Sequence, residues 1–324
     1  MAKSTLGGYC YDLYRHTVTL NPALDKTVVI PHFRTDTVNR VTNVRMDPGG
    51  KGINVSKVLA ELGEASVAFG FAGGAAGQTL RRMLAERGLE SELYEADGET
   101  RTNLKIIDPA SHTNTDINEP GPQVSVTALE ELLRRLLARI SPGDLVVLSG
   151  SLPSGAPADT YRRWTERCRQ AGARVFLDAD GEALARGLQA GPYLIKPNRD
   201  ELSRLVGRPL SSCADIAEAA QGLFAYGVRK IVVSLGGEGA LYLTQGKMWQ
   251  AQAVPVPVGS TVGAGDSMLA ALALAAQRQM DVDQSIRLSM ATGAANVMTS
   301  GTQPANYAAI APLLQKVSYK AYTL

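Results

Sequence analysis

Residues Thr261-Val262-Gly263-Ala264-Gly265-Asp266-Ser267 run directly into the apolar stretch Met268-Leu269-Ala270-Ala271-Leu272-Ala273-Leu274. Small residues at Gly263, Ala264 and Gly265 let the backbone turn sharply and leave amide N–H groups uncovered. The stretch after Asp266 is rich in Ala and Leu, the strongest helix formers. A glycine turn opening a helix aims unpaired N–H groups and the positive dipole end at one point, which suits a phosphate. Asp266 sets a carboxylate beside that point. Anion binding alone gains nothing from it, whereas phosphoryl transfer to a hydroxyl needs a base there. On these residues alone, an aspartate capping the helix remains the competing reading.

Further polar segments could serve the same chemistry. Gly49-Gly50-Lys51-Gly52-Ile53-Asn54 precedes a helical pattern: the glycines allow close backbone approach, Lys51 supplies a point charge and Asn54 reaches hydroxyls from the first turn. It is not a Walker A loop, because Gly52 follows the lysine and the upstream glycine spacing differs. A loop with a solvated lysine is the alternative. In Asn21-Pro22-Ala23-Leu24-Asp25 a carboxylate stands just beyond a strand end, placed either for two sugar hydroxyls or for an Asx-type turn. Arg101, in Thr100-Arg101-Thr102-Asn103, and Arg40 carry guanidinium forks that suit a phosphate on a substrate, and would equally sit at a surface.

Ser149-Gly150-Ser151-Leu152-Pro153-Ser154-Gly155 offers hydroxyls and amides after an apolar strand, as a ligand rim or a plain turn. In Lys196-Pro197-Asn198-Arg199-Asp200-Glu201, Asn198 and Glu201 stand three apart. That spacing suits Mg²⁺ held through water, or an N-terminal capping box, or both. Ser234-Leu235-Gly236-Gly237-Glu238-Gly239 is a strand-end glycine turn, fit for a nucleotide or for a hairpin.

These segments need elements to position them. Val18–Leu20, Thr27–Ile30 and Asn39–Arg45 read as strands, and Asp47–Gly52 as a loop. Val55, Val58, Leu59 and Leu62 fall at helical spacing, with Gly63 at the end. Ala65–Ala72 is a predicted strand and Gln78–Arg87 a predicted helix. Thr102–Asp108 and Thr113–Asn118 form an extended pair. From Val126 onward helices alternate with buried strands: helix 128–140, strand 145–148, helix 159–171, strands 175–177 and 193–195, helices 200–206 and 214–226, strands 230–234 and 240–244. That rhythm means a largely parallel sheet covered on both faces, with ligands at the carboxyl ends of its strands. The β-rich pieces at 25–46 and 100–120 interrupt it and are predicted to pair as a lid over the active face.

The bulk composition excludes several classes. The chain has 324 residues, 45% hydrophobic and 20% charged, with a net charge of +2. No basic surface for nucleic acid or membrane is implied. Cys10, Cys168 and Cys213 lack C-x-x-C spacing and read as reduced thiols of a cytoplasmic protein; His16, His32 and His112 are equally scattered. No segment is long and apolar enough to span a membrane. Residues 1–16 lack the apolar core of a signal peptide and read as an extension before the first strand.

Taken in order, the segments resemble the PfkB (ribokinase-like) family of carbohydrate kinases over essentially the whole chain after His16. The Gly49-Gly50-Lys51-Gly52-Ile53-Asn54-Val55 region resembles its first signature and Val262–Ser267 its second. Thr17–Asp25, Thr37–Arg40, Thr100–Asn103, Ser149–Gly155 and Lys196–Asn198 place the likeness nearest 1-phosphofructokinase and tagatose-6-phosphate kinase. The resemblance implies one kinase domain over 17–315, an α/β fold with a mostly parallel central sheet, helices on both faces and a small β lid. It implies Asp266 as catalytic base with the Gly263, Ala264 and Gly265 amides as anion hole. Asp25, Gly50, Asn54, Asn103 and Ser151 would hold the sugar, and Arg40, Lys51 and Arg101 its phosphate. Lys196, Asn198, Ser234, Gly236 and Gly239 would line the ATP side, with Asn296 near the adenine and Glu201 serving Mg²⁺.

The implied reaction is ATP-dependent phosphorylation of a ketohexose phosphate, D-fructose 1-phosphate first. Lys51 stands where fructose 6-phosphate relatives carry glycine, and nothing resembles a galactose-pathway marker. Tagatose 6-phosphate comes second and fructose 6-phosphate third, the latter on Ala72-Gly73-Gly74-Ala75-Ala76-Gly77. A sugar-phosphate sensor without activity is the reading from another class, and the retained base speaks against it. Open lid edges offer a surface for a homodimer. The 1–16 extension and the segment 301–307 depart from the family pattern, so a monovalent-ion site is not implied.

Overall fold

Leu145, Val146, Val147 and Leu148 are all wholly buried in the computed structural model, which describes residues 3–6, 9–12, 14–299 and 301–323. Their side chains alternate between two apolar layers: Val146 and Leu148 join one, Leu145 and Val147 the other. Val175 and Leu177 part in the same way from Phe176, and Ile231 and Val233 from Val232. A strand buried on both faces must be apolar throughout, which is why these runs carry no polar alternation.

They belong to a ten-stranded sheet ordered 319–323, 247–251, 240–244, 230–234, 194–195, 174–178, 145–149, 15–19, 67–72, 90–95. The pairs from 230–234 to 90–95 are parallel, and the three strands on the other edge run antiparallel. Helices Val126–Arg139, Thr160–Gln170, Gly181–Leu188, Arg199–Val206 and Cys213–Gly222 cover one face. Lys51–Glu61, Ala264–Gln277, Val282–Val297 and Tyr307–Leu314 cover the other. Among the described residues no helix is long and apolar enough to cross a membrane.

A separate four-stranded sheet, ordered Asn43–Gly49, Ala23–Val29, Arg101–Asp108, Thr113–Ile117, forms the lid. Asp25 is registered with Asp47 on one side and Asn103 on the other.

Several boundaries differ from the sequence reading. The expected strand over 39–45 begins only at Asn43 and runs on to Gly49 through the expected loop. Residues 34–39 instead close on themselves, Asn39 donating to the Arg34 carbonyl at 2.7 Å and accepting from the Arg34 amide at 3.1 Å. Such local side-chain bonds compete with a ladder. The helix expected from Gln78 starts at Gly74, because the Glu99 carboxylate accepts from the Ala75 and Ala76 amides at 2.8 and 3.2 Å. The first strand of the large sheet starts at Arg15, inside the expected extension, where Arg15 pairs with Glu64 at 2.8 Å. Lys3–Leu6 and Tyr9–Asp12 pair antiparallel ahead of it; residues 1, 2, 7, 8 and 13 and the Cys10 side chain lie outside the described residues. Cys168 and Cys213 are free.

Candidate active site

Gly263 adopts a left-handed backbone (φ 81°) and caps the helix Ala264–Gln277, so Asp266 lies in the first turn and not at the cap. The turn is braced from behind. Asn296 Nδ2 donates to the Val262 carbonyl at 2.9 Å, and Ser260 Oγ accepts from the Val262 amide at 3.2 Å. A methyl group on Gly263 would meet Asn296 Nδ2 at 3.4 Å, and one on Gly265 would meet Lys196 Nζ at 3.1 Å. The bare Cα atoms therefore let one polar side chain support the turn and a second lie across it. The Ser267 amide closes on the Gly263 carbonyl at 2.9 Å, while the Gly265 and Asp266 amides, in the first turn, have no intrahelical acceptor.

Asp266 is buried, and its Oδ2 accepts from Asn54 Nδ2 at 2.8 Å. Burial pushes its carboxyl up to about 6; nearby Asp178 adds to the rise, and Lys51, the Asn54 hydrogen bond and Lys196 oppose it. A carboxylate near 6 can both accept a proton at neutral pH and pass it on.

Asp178 is a buried cleft residue that sequence reading did not single out. It ends the strand Arg174–Asp178, and its oxygens lie 3.1 Å from Lys51 Nζ and 3.4 Å from Lys196 Nζ. Burial acts to raise its pKa, but Lys196 and Lys51 outweigh that and hold it low. Asp178 in turn is the main reason the Lys51 ammonium is held well above its usual range. The available signal was an acid at the carboxyl end of a buried strand. Lys51 thus lies between two acids, 3.1 Å from Asp178 and 3.8 Å from Glu201.

On the lid side, Asn103 Nδ2 donates to Asp25 Oδ1 at 3.1 Å. Gly49 makes room for this carboxylate, since a methyl there would lie 2.5 Å from it. Arg101 donates to the Asn21 and Glu119 carbonyls at 2.8 and 3.2 Å, which anchors its guanidinium at the cleft wall.

On the opposite side, Asn198 and Glu201 form a complete capping box. Glu201 Oε2 accepts from the Asn198 amide at 2.8 Å, leaving Oε1 toward Lys51 and the cleft. One carboxylate oxygen facing the cleft fits Mg²⁺, which keeps much of its water and takes one or two carboxylates plus substrate phosphates. Lys196 lies against Gly265, while Ser234, Gly236 and Gly239 line the wall below, followed by the apolar Val254, Pro255 and Val256.

All the sequence-predicted site residues except Arg40 and Asn296 line one cleft of about 1260 Å³, Gly50 and Ser151 included. Arg40 is exposed, just after the self-closed loop 34–39, and does not line the cleft. Asn296 is 2% exposed and spent on the Val262 carbonyl; Met290, Gly293, Ala294 and Val297 of its helix reach the cleft instead.

A family model described as pfkB family carbohydrate kinase matches residues 18–308. A 1-phosphofructokinase of Xanthomonas campestris is 39% identical over 280 residues, covering 85% of this chain and 88% of the relative. One from Bacillus subtilis is 36% identical over 284 residues, covering 88% and 92%. The crystal structure of phosphofructokinase-2 from Escherichia coli in complex with substrates and products superposes with a TM-score of 0.89 at 33% identity, covering 94% of this chain and 99% of that one.

Proposed function

Because the chain belongs to the pfkB family of carbohydrate kinases, we propose that this phosphotransferase moves the γ-phosphoryl group of ATP to a primary hydroxyl of D-fructose 1-phosphate, giving fructose 1,6-bisphosphate. The observation that carries the reading is Asp266: a desolvated carboxylate beside first-turn amides, held by Asn54 at 2.8 Å. Asn54 engages Oδ2, which leaves Oδ1 to take the hydroxyl proton as the phosphoryl group crosses. The Gly265 amide and the Lys196 ammonium beside it would take up charge on the transferring group. Asp25, steadied by Asn103, would receive sugar hydroxyls, and Arg101 would face the sugar's phosphate. Glu201 would hold Mg²⁺ through Oε1, and the ion would supply positive charge to the nucleotide's phosphates.

The 1-phosphofructokinase relatives at 34–40% identity support the choice of sugar. A second reading, fructose 6-phosphate, is favoured by the likeness to phosphofructokinase-2 of Escherichia coli in complex with that sugar phosphate. A dimer through the lid is part of the proposal: Val38, Val41, Val44, Met46 and Ile117 are exposed there. A tetrameric form is known for the phosphofructokinase-2 relative. Cytoplasmic placement goes with it.

A coupled assay of ADP release on fructose 1-phosphate, tagatose 6-phosphate and fructose 6-phosphate tests the substrate. The specificity constant for fructose 1-phosphate should lead by at least about tenfold, roughly 1.4 kcal/mol of transition-state binding. A higher constant on either rival overturns the sugar and leaves the chemistry. Tight sugar-phosphate binding with no turnover on any of them points to a sensor.

A further inference from the structure

Arg101, Asn103 and Lys105 occupy alternate positions of one lid strand and all line the cleft. Alternation is the rule for a strand, and the intervening Leu104 and Ile106 pack the other way, against Val28 and Ile30. Lys105 has only 12% of its side chain exposed, and pairs at 3.5 Å with Asp116 on the outer strand Thr113–Ile117. On the same cleft-lining face Asn103 Oδ1 and Arg101 Nε are buried without a hydrogen-bond partner. Two such groups on the cleft-lining side of one lid strand call for a polar ligand, because an unsatisfied buried polar atom is costly. Beside Arg101, a phosphate on the sugar side takes a second cation. Arg40 stands outside the cleft, and Lys51 is engaged by Asp178.

We infer that Lys105 is a specificity-determining residue that binds the phosphate already carried by the sugar, with Arg101 completing the grip. Four residues along a strand separate the Cα atoms of Arg101 and Lys105 by about 13 Å. Two extended basic side chains can close that gap on a single phosphate lying over Asn103. The inference rests on the reading of the acceptor as a sugar phosphate, but not on which one it is.

Lys105→Met keeps the aliphatic stem and removes the charge. Steady-state kinetics on all three ketohexose phosphates should show KM for the preferred one raised about ten- to a hundredfold, the loss of one charge-assisted contact. KM for ATP should stay near its original value, and kcat at saturating sugar should fall far less than KM rises. Asp116→Asn, on the exposed strand, releases Lys105 from its counter-ion and should lower the sugar-phosphate KM. An unchanged sugar-phosphate KM in Lys105→Met, or an equal rise for ATP, overturns the inference. If that variant does not fold, Asp116→Asn decides, and an unchanged or raised KM counts against Lys105. Should a rival sugar phosphate prove preferred, the effect is read on that one. Should none turn over, calorimetric binding of fructose 1-phosphate to the same variants gives the answer.

Discussion

Asp178→Asn removes the charge that joins Lys51 to Lys196. The two ammonium groups lie 3.1 and 3.4 Å from oxygens of a carboxylate that is 1% exposed. At an effective dielectric constant of about 20, each contact represents about 5 kcal/mol of raw attraction. Much of that only offsets the burial of the charges. The Lys51 side chain is 36% exposed, so water takes up part of its charge, whereas the Lys196 side chain is 5% exposed. The cost of the substitution therefore falls on Lys196, near the lower end for a broken buried pair, about 3 kcal/mol. For a chain of this length that is a drop in Tm of about 4 °C. A nucleotide polyphosphate would return negative charge to both lysines, so ATP should raise Tm more in the variant than in the parent protein. Thermal unfolding with and without ATP reads both effects. A variant that melts with the parent protein, or gains no more from ATP than the parent does, would refute the reasoning.

Two further outcomes follow from the same groups. Asp266 must be unprotonated to act as a base, so kcat/KM should fall as pH drops through about 6. In Asn54→Ala the acid limb should move to higher pH, since that hydrogen bond holds the carboxyl down; an unmoved limb would place the titration elsewhere. Lys57 donates to the Pro48 and Thr302 carbonyls at 3.0 and 2.9 Å, and burial lowers it to about 8 from 10.5. Between those values the unfolded chain binds more protons than the folded one, so stability rises with pH. Raising pH from about 7 to about 9.5 should stabilise the parent protein over Lys57→Met by a further ~2 kcal/mol in urea unfolding. Parallel pH curves for the two proteins would contradict this.

The parallel strands could be read from the sequence because burial on both faces demands unbroken apolar runs, as at Leu145–Leu148. The anion turn was legible for a local reason: Gly263, Ala264 and Gly265 are small where the backbone must stay bare. What escaped is set by distant partners. The start of the helix at Gly74 depends on Glu99, and the strand through Pro48 and Gly49 depends on pairing with Ala23 and Leu24. Asp178 looks like any acid after a strand until the fold brings Lys51 and Lys196 to it. Asn296 and Arg40 are the two expected site residues that do not line the cleft. Each has a residue type suited to a ligand, but Asn296 is spent on the Val262 carbonyl and Arg40 follows a loop closed by Asn39.

The central claim is that Asp266 takes the proton from the attacking hydroxyl. Single-turnover phosphoryl transfer by Asp266→Asn, with ATP affinity measured on the same protein, tests it most directly. Asparagine preserves the shape and can still meet Asn54, but it cannot accept the proton. The transfer rate should fall about a hundredfold or more while ATP binding is retained. A folded variant that transfers phosphate at close to the parent rate would contradict the account.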